Sequence, residues 1–352
     1  MPTSGPELTF VDQQPAPFTG QGIAADPTTG GLVGIDRAKR ELIAATAESD
    51  APTPRLPRDN LLLRRGPQGA SLPVTTVAEW RERRDEIVRN MQLVMGPLPG
   101  LERRVPPDVK LDEEVDCGSY VRRLISYATE PESRVPAYLC IPKKLLAPDA
   151  KGARAPAILC LHGTDNVIGH GTVVGLGRAN RQYAAELAER GFVTLAPNYP
   201  ILAKYNPDVR ALGWESGTLK AVWDNLRGLD LLESLPFVEP GKFGAIGHSL
   251  GGHNSVYTAV FDSRIKTVVS SCGLDSYLDY YEGNEKNWFP EKGWCQTRYM
   301  IRMARYRGRL AEIPFDFHEM IAAIAPRDVL IIAPLQDSNF RWQSVDRVAA
   351  AA

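Results

Sequence analysis

Apolar residues recur along this chain with two different periods. At residues 80–95, Trp80, Ile87, Val88, Met91 and Met95 stand at helical spacing behind Thr76-x-x-Glu79, which has the form of a capping box. Gly96-Pro97-Leu98-Pro99-Gly100 stops that helix. Residues 120–128 and 135–141 alternate or run apolar on either side of a turn at Pro131, the pattern of an antiparallel pair. Beyond them, short apolar runs at 155–161, 192–196 and 243–246 read as buried strands, and 265–271 and 329–333 as the strands that follow. Between these runs lie helical patterns at 182–190, stopped by Gly191, at 216–232 and at 254–261. The second of these puts Leu219, Val222, Trp223, Leu226 and Leu229 on one face. Strands that alternate with helices need parallel crossovers. The predicted fold class is therefore α/β, a mainly parallel central sheet with helices on both faces.

Two stretches break this alternation. Residues 1–55 are rich in Pro, Gly, Thr and Ala and hold one weakly helical patch at 35–47, so a poorly ordered extension is expected there. Residues 56–110 then form a helical arm, and 111–352 the main domain. Within it, residues 273–314 interpose Tyr277, Tyr280, Tyr281, Trp288, Phe289, Trp294, Tyr299 and Tyr306 among many charges. This insertion leaves the sheet at the end where parallel strands deliver their active-site loops. It is expected to be a lid or substrate-binding wall, or else a surface subdomain with its own small aromatic core.

Composition narrows the function classes. The chain is 43% hydrophobic and 24% charged, ordinary for a soluble globular protein. With 41 basic against 42 acidic residues it offers nothing to nucleic acid or an anionic membrane. No apolar run reaches bilayer length and no signal peptide is visible at the N-terminus, so a cytoplasmic location is expected. The five cysteines are odd in number, widely spaced and without a C-x-x-C, which argues against a disulfide framework and a zinc site. Cys140, Cys160 and Cys272 lie in apolar runs and read as core residues. No G-x-G-x-x-G follows the first parallel strand, so dinucleotide binding is a poor reading, and neither cofactor nor metal is expected.

The chemistry lies in Gly247-His248-Ser249-Leu250-Gly251, which stands between the apolar run at 243–246 and a helical pattern. Strand, G-x-S-x-G and helix is the setting of a nucleophile elbow, a strained turn that lifts the serine hydroxyl clear of the sheet. Ser249 is the candidate nucleophile. Oxyanion donors are expected from the backbone N–H of Leu250 and from the turn His162-Gly163-Thr164, with Thr164 favoured over Gly163. The acid should sit past a later strand: Asp337 fits, and Asp275 is its rival. Of the five histidines, His162 and His248 read as shaping the turns, and His253 lies one helical turn beyond Ser249. His170 and His318 fit the role of base no better.

These residues together resemble the α/β-hydrolase fold, and within it the dienelactone-hydrolase and acetyl-xylan-esterase-like esterases. The resemblance spans about residues 115–352 and rests on Leu-His-Gly-Thr at 161–164, Gly-His-Ser-Leu-Gly-Gly at 247–252, and Ile-Ala-Pro-Arg at 324–327 ahead of Pro-Leu-Gln-Asp-Ser-Asn-Phe at 334–340. It implies nucleophile Ser249, acid Asp337, and oxyanion donors near Thr164 and Leu250. It also implies one more strand and a histidine loop beyond residue 352, so the domain is expected to lack its last strand and the general base. The function expected is a serine carboxylic-ester hydrolase acting on small or carbohydrate-borne acyl esters. The alternatives are a catalytically inactive hydrolase-like binding protein, or a peptidase or lactonase on the same fold. A small-molecule ester is the expected partner, with no nucleic acid or membrane, and nothing in the sequence sets an oligomeric state.

Overall fold

The computed structural model describes residues 55–289 and 292–352, together with the backbone of three short strands before residue 46. The chain divides into two units, Met1–Pro54 and Arg55–Ala352. In the first, Ile23–Ala25, Leu32–Asp36 and Glu41–Ala45 form an antiparallel sheet. The weakly helical patch expected at 35–47 is thus a strand over Glu41–Ala45. Glu-Leu-Ile-Ala-Ala suits a helix, but pairing of Leu32 with Ala45 through Asp36 with Glu41 decides the backbone, because non-local pairing overrides weak propensity. The rest of the expectation of a poorly ordered extension over 1–55 lies outside the described residues.

In the second unit the apolar runs become one eight-stranded sheet. Its strands are β1 (Lys110–Asp116), β2 (Tyr120–Glu130), β3 (Ser133–Pro142), β4 (Ala155–Leu161), β5 (Val193–Pro197), β6 (Val238–His248), β7 (Ile265–Ser271) and β8 (Asp328–Ile332). Their spatial order is β1-β2-β3-β5-β4-β6-β7-β8. Pairing is antiparallel from β1 through β3 to β5, and parallel from β5 to β8. The order reverses at β4, so the ends of β4 and β6 flank a crevice of the kind that holds ligands in such sheets. The strand β8 pairs with β7 on one side and, among the described residues, with no strand on the other.

Helices cover the sheet where their apolar stripes require it. They are α1 (Val77–Met95), α2 (Tyr183–Glu189), α3 (Gly217–Ser234), α4 (Leu250–Phe261), α5 (Phe317–Ala322) and α6 (Trp342–Ala351). The capping box of α1 is formed: Glu79 N–H donates to Thr76 Oγ1 (3.2 Å) and Thr76 N–H to Glu79 Oε2 (3.0 Å). Its buried residues Ile87, Met91, Val94 and Met95 join the main core, so the arm packs on the domain that follows. Arg83 pins it with a buried ion pair to Glu319 (2.5 Å), and Arg84 donates to the carbonyls of Val260 and Ala323.

The insertion is a chain of short 3-10 turns. Tyr277 packs edge-on against Trp288, Trp294 and Phe315, so the segment does carry an aromatic core of its own. Other rings of the same segment face the cleft described next.

Candidate active site

At the elbow, β6 ends at His248 and α4 begins at Leu250, leaving Ser249 between them with φ 55° and ψ −119°. A positive φ costs a residue with a Cβ about 1–3 kcal/mol and persists only where the surroundings impose it. Here they do. Ser249 N–H donates to Ser271 O (2.8 Å) on β7, and Ser249 O accepts from His253 N–H (3.1 Å). The turn is also packed without slack: a Cβ on Gly251 would lie 1.8 Å from Leu161 O at the end of β4, and one on Gly247 2.2 Å from the Gly251 backbone. The Leu250 N–H belongs to the first turn of α4, where donors have no partner within the helix.

The turn after β4 is oriented from beneath by His162. Tyr199 N–H donates to His162 Nε2 (3.0 Å), so that nitrogen is the acceptor and the proton sits on Nδ1, which donates to Gly163 O (2.7 Å). Burial pushes this imidazole down to about 4, keeping it neutral at neutral pH. With the Gly163 carbonyl drawn to the ring, the N–H across the same trans peptide, that of Thr164, points the opposite way. The Thr164 hydroxyl meets the Tyr299 hydroxyl at 3.0 Å.

Ser249 is half-buried and opens onto two clefts. One, of about 290 Å³, is lined by Thr164, Leu250, His253, Tyr280, Tyr281, Trp294, Gln296, Tyr299, Asn339 and Phe340. The other, of about 820 Å³, runs past Gly163, Asp165, Arg178, Arg181 and His248. The insertion therefore builds a wall of the first cleft as well as its own core. Among the described residues, no group of three or more His, Cys, Asp or Glu side chains could hold a metal ion.

The two candidate acids sit in different surroundings. Asp337 follows β8, and its Oδ1 accepts from Asn339 N–H (2.8 Å) and Phe340 N–H (3.2 Å), which shapes the loop that lines the aromatic cleft. His248 is lowered by burial and by Arg181, and the charge of Asp337 works against both. Asp275 is buried, and the Ser344 hydroxyl bridges it to Asp279. Burial, helped by the neighbouring charge of Asp279 and opposed by the Ser344 hydroxyl, pushes Asp275 up to about 7. Neither candidate carboxylate lines a cleft, but the loop that Asp337 shapes does.

Among the described residues no histidine is hydrogen-bonded to the Ser249 hydroxyl. His253 donates from Nδ1 to Gly273 O (2.5 Å), and its ring packs against Trp294 and Phe340. His170 lies buried beside the Tyr138 ring, and His318 is buried on α5. The structure thus gathers Ser249, Leu250 and Thr164 around one cleft, and Asp337 starts the loop that brings Asn339 and Phe340 to it. Sequence reasoning missed Tyr199 and Tyr299, which hold the turn His162-Gly163-Thr164 through His162 Nε2 and the Thr164 hydroxyl. The signal available for Tyr199 was its place just past a buried strand. Tyr299 was visible only as one aromatic of many.

Comparison with known proteins agrees with the fold. The family described as glucuronyl esterase, fungi, matches residues 212–352. The protein YtaP of Bacillus subtilis (strain 168) is 24% identical over 278 residues, covering 76% of this chain and 84% of the relative. Among solved structures, a glucuronoyl esterase from Solibacter usitatus superposes with a TM-score of 0.63 at 20% identity, covering 86% of each chain. A promiscuous CE15 esterase from a marine bacterial metagenome gives 0.61 at 18% identity, over 86% of this chain and 85% of that one. The chain has the α/β-hydrolase fold, and its strand–elbow–helix motif places Ser249 between β6 and α4.

Proposed function

We propose that this protein is a serine carboxylic-ester hydrolase that works through an acyl-enzyme on Ser249, with Asp337 as its acid and the N–H groups of Thr164 and Leu250 as oxyanion donors. The observation that carries the reading is the backbone of Ser249, a non-glycine residue at φ 55° between β6 and α4, opening on both clefts. In the reaction Ser249 Oγ attacks the ester carbonyl carbon and loses its proton. The carbonyl oxygen becomes an oxyanion between the two N–H groups, and collapse expels the alcohol with a proton. Water then releases the acid and restores the hydroxyl. Each oxyanion donor is worth about 2.7–4 kcal/mol of transition-state stabilisation. The proton acceptor is assigned to none of the five histidines.

Small or carbohydrate-borne esters are the proposed substrates. The faces of Tyr280, Tyr281, Trp294 and Phe340 suit the C–H face of a sugar ring, while Gln296 and Asn339 supply amides for its hydroxyls. The names of the similar structures, a glucuronoyl esterase and a promiscuous CE15 esterase, support an ester as the substrate. The test is fluorophosphonate labelling mapped by mass spectrometry, alongside hydrolysis of 4-nitrophenyl acetate and of an acetylated xylo-oligosaccharide. Label on Ser249, with both label and turnover lost in Ser249→Ala, is expected. Label elsewhere, or undiminished in Ser249→Ala, overturns the assignment.

A further inference from the structure

The aromatic insertion reaches the oxyanion turn through one short segment, residues 296–299. Tyr299 Oη lies 3.0 Å from Thr164 Oγ1, and Arg298 Nη1 donates to Asn166 Oδ1 (2.8 Å) two residues further along the same loop. From behind, Tyr199 Oη donates to Arg298 O (2.6 Å), while the main-chain N–H of this same Tyr199 fixes His162. The segment is tied to the start of α3 as well: Gly217 N–H donates to Thr297 O (3.1 Å) and Thr218 N–H to Tyr299 O (3.3 Å). There is no play at that junction, since a Cβ on Gly217 would lie 2.4 Å from Arg298 O. So 296–299 is a strut wedged between α3 and the oxyanion loop, and the Tyr299 side chain is its end against Thr164.

We propose that Tyr299 is a positioning residue of the Ser249 site, its hydroxyl holding Thr164 from the insertion side so that the Thr164 N–H stays set against the nucleophile. His162 fixes the peptide from below through Gly163 O, and Tyr299 completes the restraint from above. Burial raises the Tyr299 phenol above its ordinary range, so it remains a neutral donor throughout any assay near neutrality. The aromatic wall and the oxyanion hole then form one body: a substrate that presses on the wall at Tyr280, Tyr281 or Trp294 meets a hole that is already aligned.

This proposal rests on the ester-hydrolase reading, and the experiment separates the two. The second-order rate of fluorophosphonate attachment to Ser249 is measured for wild type, Tyr299→Phe, Thr164→Val and the double variant, with melting temperatures as a fold check. Each single variant is expected to react about 10-fold more slowly, the loss of one hydrogen bond's worth of alignment. The double variant is expected to be no slower than the slower single one, because both remove the same bond. For turnover of 4-nitrophenyl acetate, kcat should fall while KM stays. Effects that multiply to about 100-fold, or a rise in KM alone, would make Tyr299 a pocket wall with no hold on the loop and overturn the proposal. Wild-type rates in Tyr299→Phe overturn it too. If Ser249→Ala still takes the label at full rate, it is the reading of Ser249 that fails.

Discussion

Replacing Gly251 by alanine tests the claim that the elbow is positioned by direct backbone contact between α4 and β4. The added Cβ would stand 1.8 Å from Leu161 O, 2.5 Å from Leu161 C and 3.0 Å from His162 O. Ordinary contact begins near 3.4 Å, so α4 would have to withdraw by about 1.6 Å. No side chain can rotate away, because all three atoms are backbone and Leu161 is paired with Gly247 of β6. Overpacking of a core usually costs about 1–3 kcal/mol, and a clash with rigid backbone belongs at the upper end of that range or beyond. A loss of about 3 kcal/mol corresponds to a melting temperature lower by roughly 6–12 °C in a domain of this size. Function should suffer more than stability. Ser249 and Leu250 ride on the start of α4 and Thr164 on the turn after β4, and a misplacement of about 1 Å between reacting groups costs on the order of 100-fold. Circular dichroism melting and fluorophosphonate labelling read the two effects. Gly244→Ala, in the same strand as the elbow, is the control: its Cβ meets nothing closer than 3.6 Å, so both readouts should stay near wild type. Equal damage from the two substitutions, or a Gly251→Ala protein that melts and labels normally, would refute the reasoning.

Other consequences follow from buried charge. Lys220 is fully buried, with Glu130 at 3.0 Å and Asp224 in closer contact, so Lys220→Met leaves buried Asp224 without its cation and Glu130 with Arg103 alone, and should cost about 3–5 kcal/mol in urea denaturation; a change below about 1 kcal/mol would show that Lys220 is not buried and paired as described. Asp275 is raised to about 7, so its stabilising effect is complete below its unfolded value near 3.8 and disappears as pH rises through 7. Asp275→Asn should therefore gain on the wild type between pH 5 and 8, and a stability difference independent of pH would count against this. Burial holds His170 at about 3, against 6.5 when free. The unfolded chain then binds the extra proton, so the wild type should lose up to about 1.4 kcal/mol per pH unit to this residue as pH falls from 6.5 toward 3. His170→Phe should flatten the acid limb of a urea-midpoint profile by one proton, and an unchanged slope would refute it.

Strands proved legible where burial forces a continuous apolar run: Ala155–Leu161 lies where the pattern places it and Val193–Pro197 within one residue of it. The capping box before α1 and the stop at Gly191, with φ 97°, were equally direct, because each is a local demand on the backbone. The strand β1 escaped for the opposite reason. Lys-Leu-Asp-Glu-Glu-Val-Asp is almost wholly exposed at the sheet edge, where charges discourage further pairing and no apolar period develops. The hairpin of Leu63–Arg65 with Ser71–Pro73 escaped as well, since three-residue strands are too short to show a period.

For the site, the division falls between what one segment decides and what two segments decide together. Gly247-His248-Ser249-Leu250-Gly251 shows itself because strand, strained serine and helix are consecutive, and the glycines are required by contacts made at that turn. The choice of Thr164 as donor depends instead on a proton located on His162 Nδ1. That location follows only once Tyr199, in the turn after β5, is seen to occupy Nε2. Tyr299 is further removed, lying 135 positions from its partner Thr164. No periodicity or spacing encodes a pairing between a turn and an irregular aromatic segment, because neither has a repeat from which a register could be read. Yet those pairings would decide whether the elbow faces an aligned oxyanion hole. The candidate nucleophile can be read from sequence, then, while the proposed alignment around it rests on long-range hydrogen bonds, and the cycle between Tyr299→Phe and Thr164→Val tests that proposal most directly.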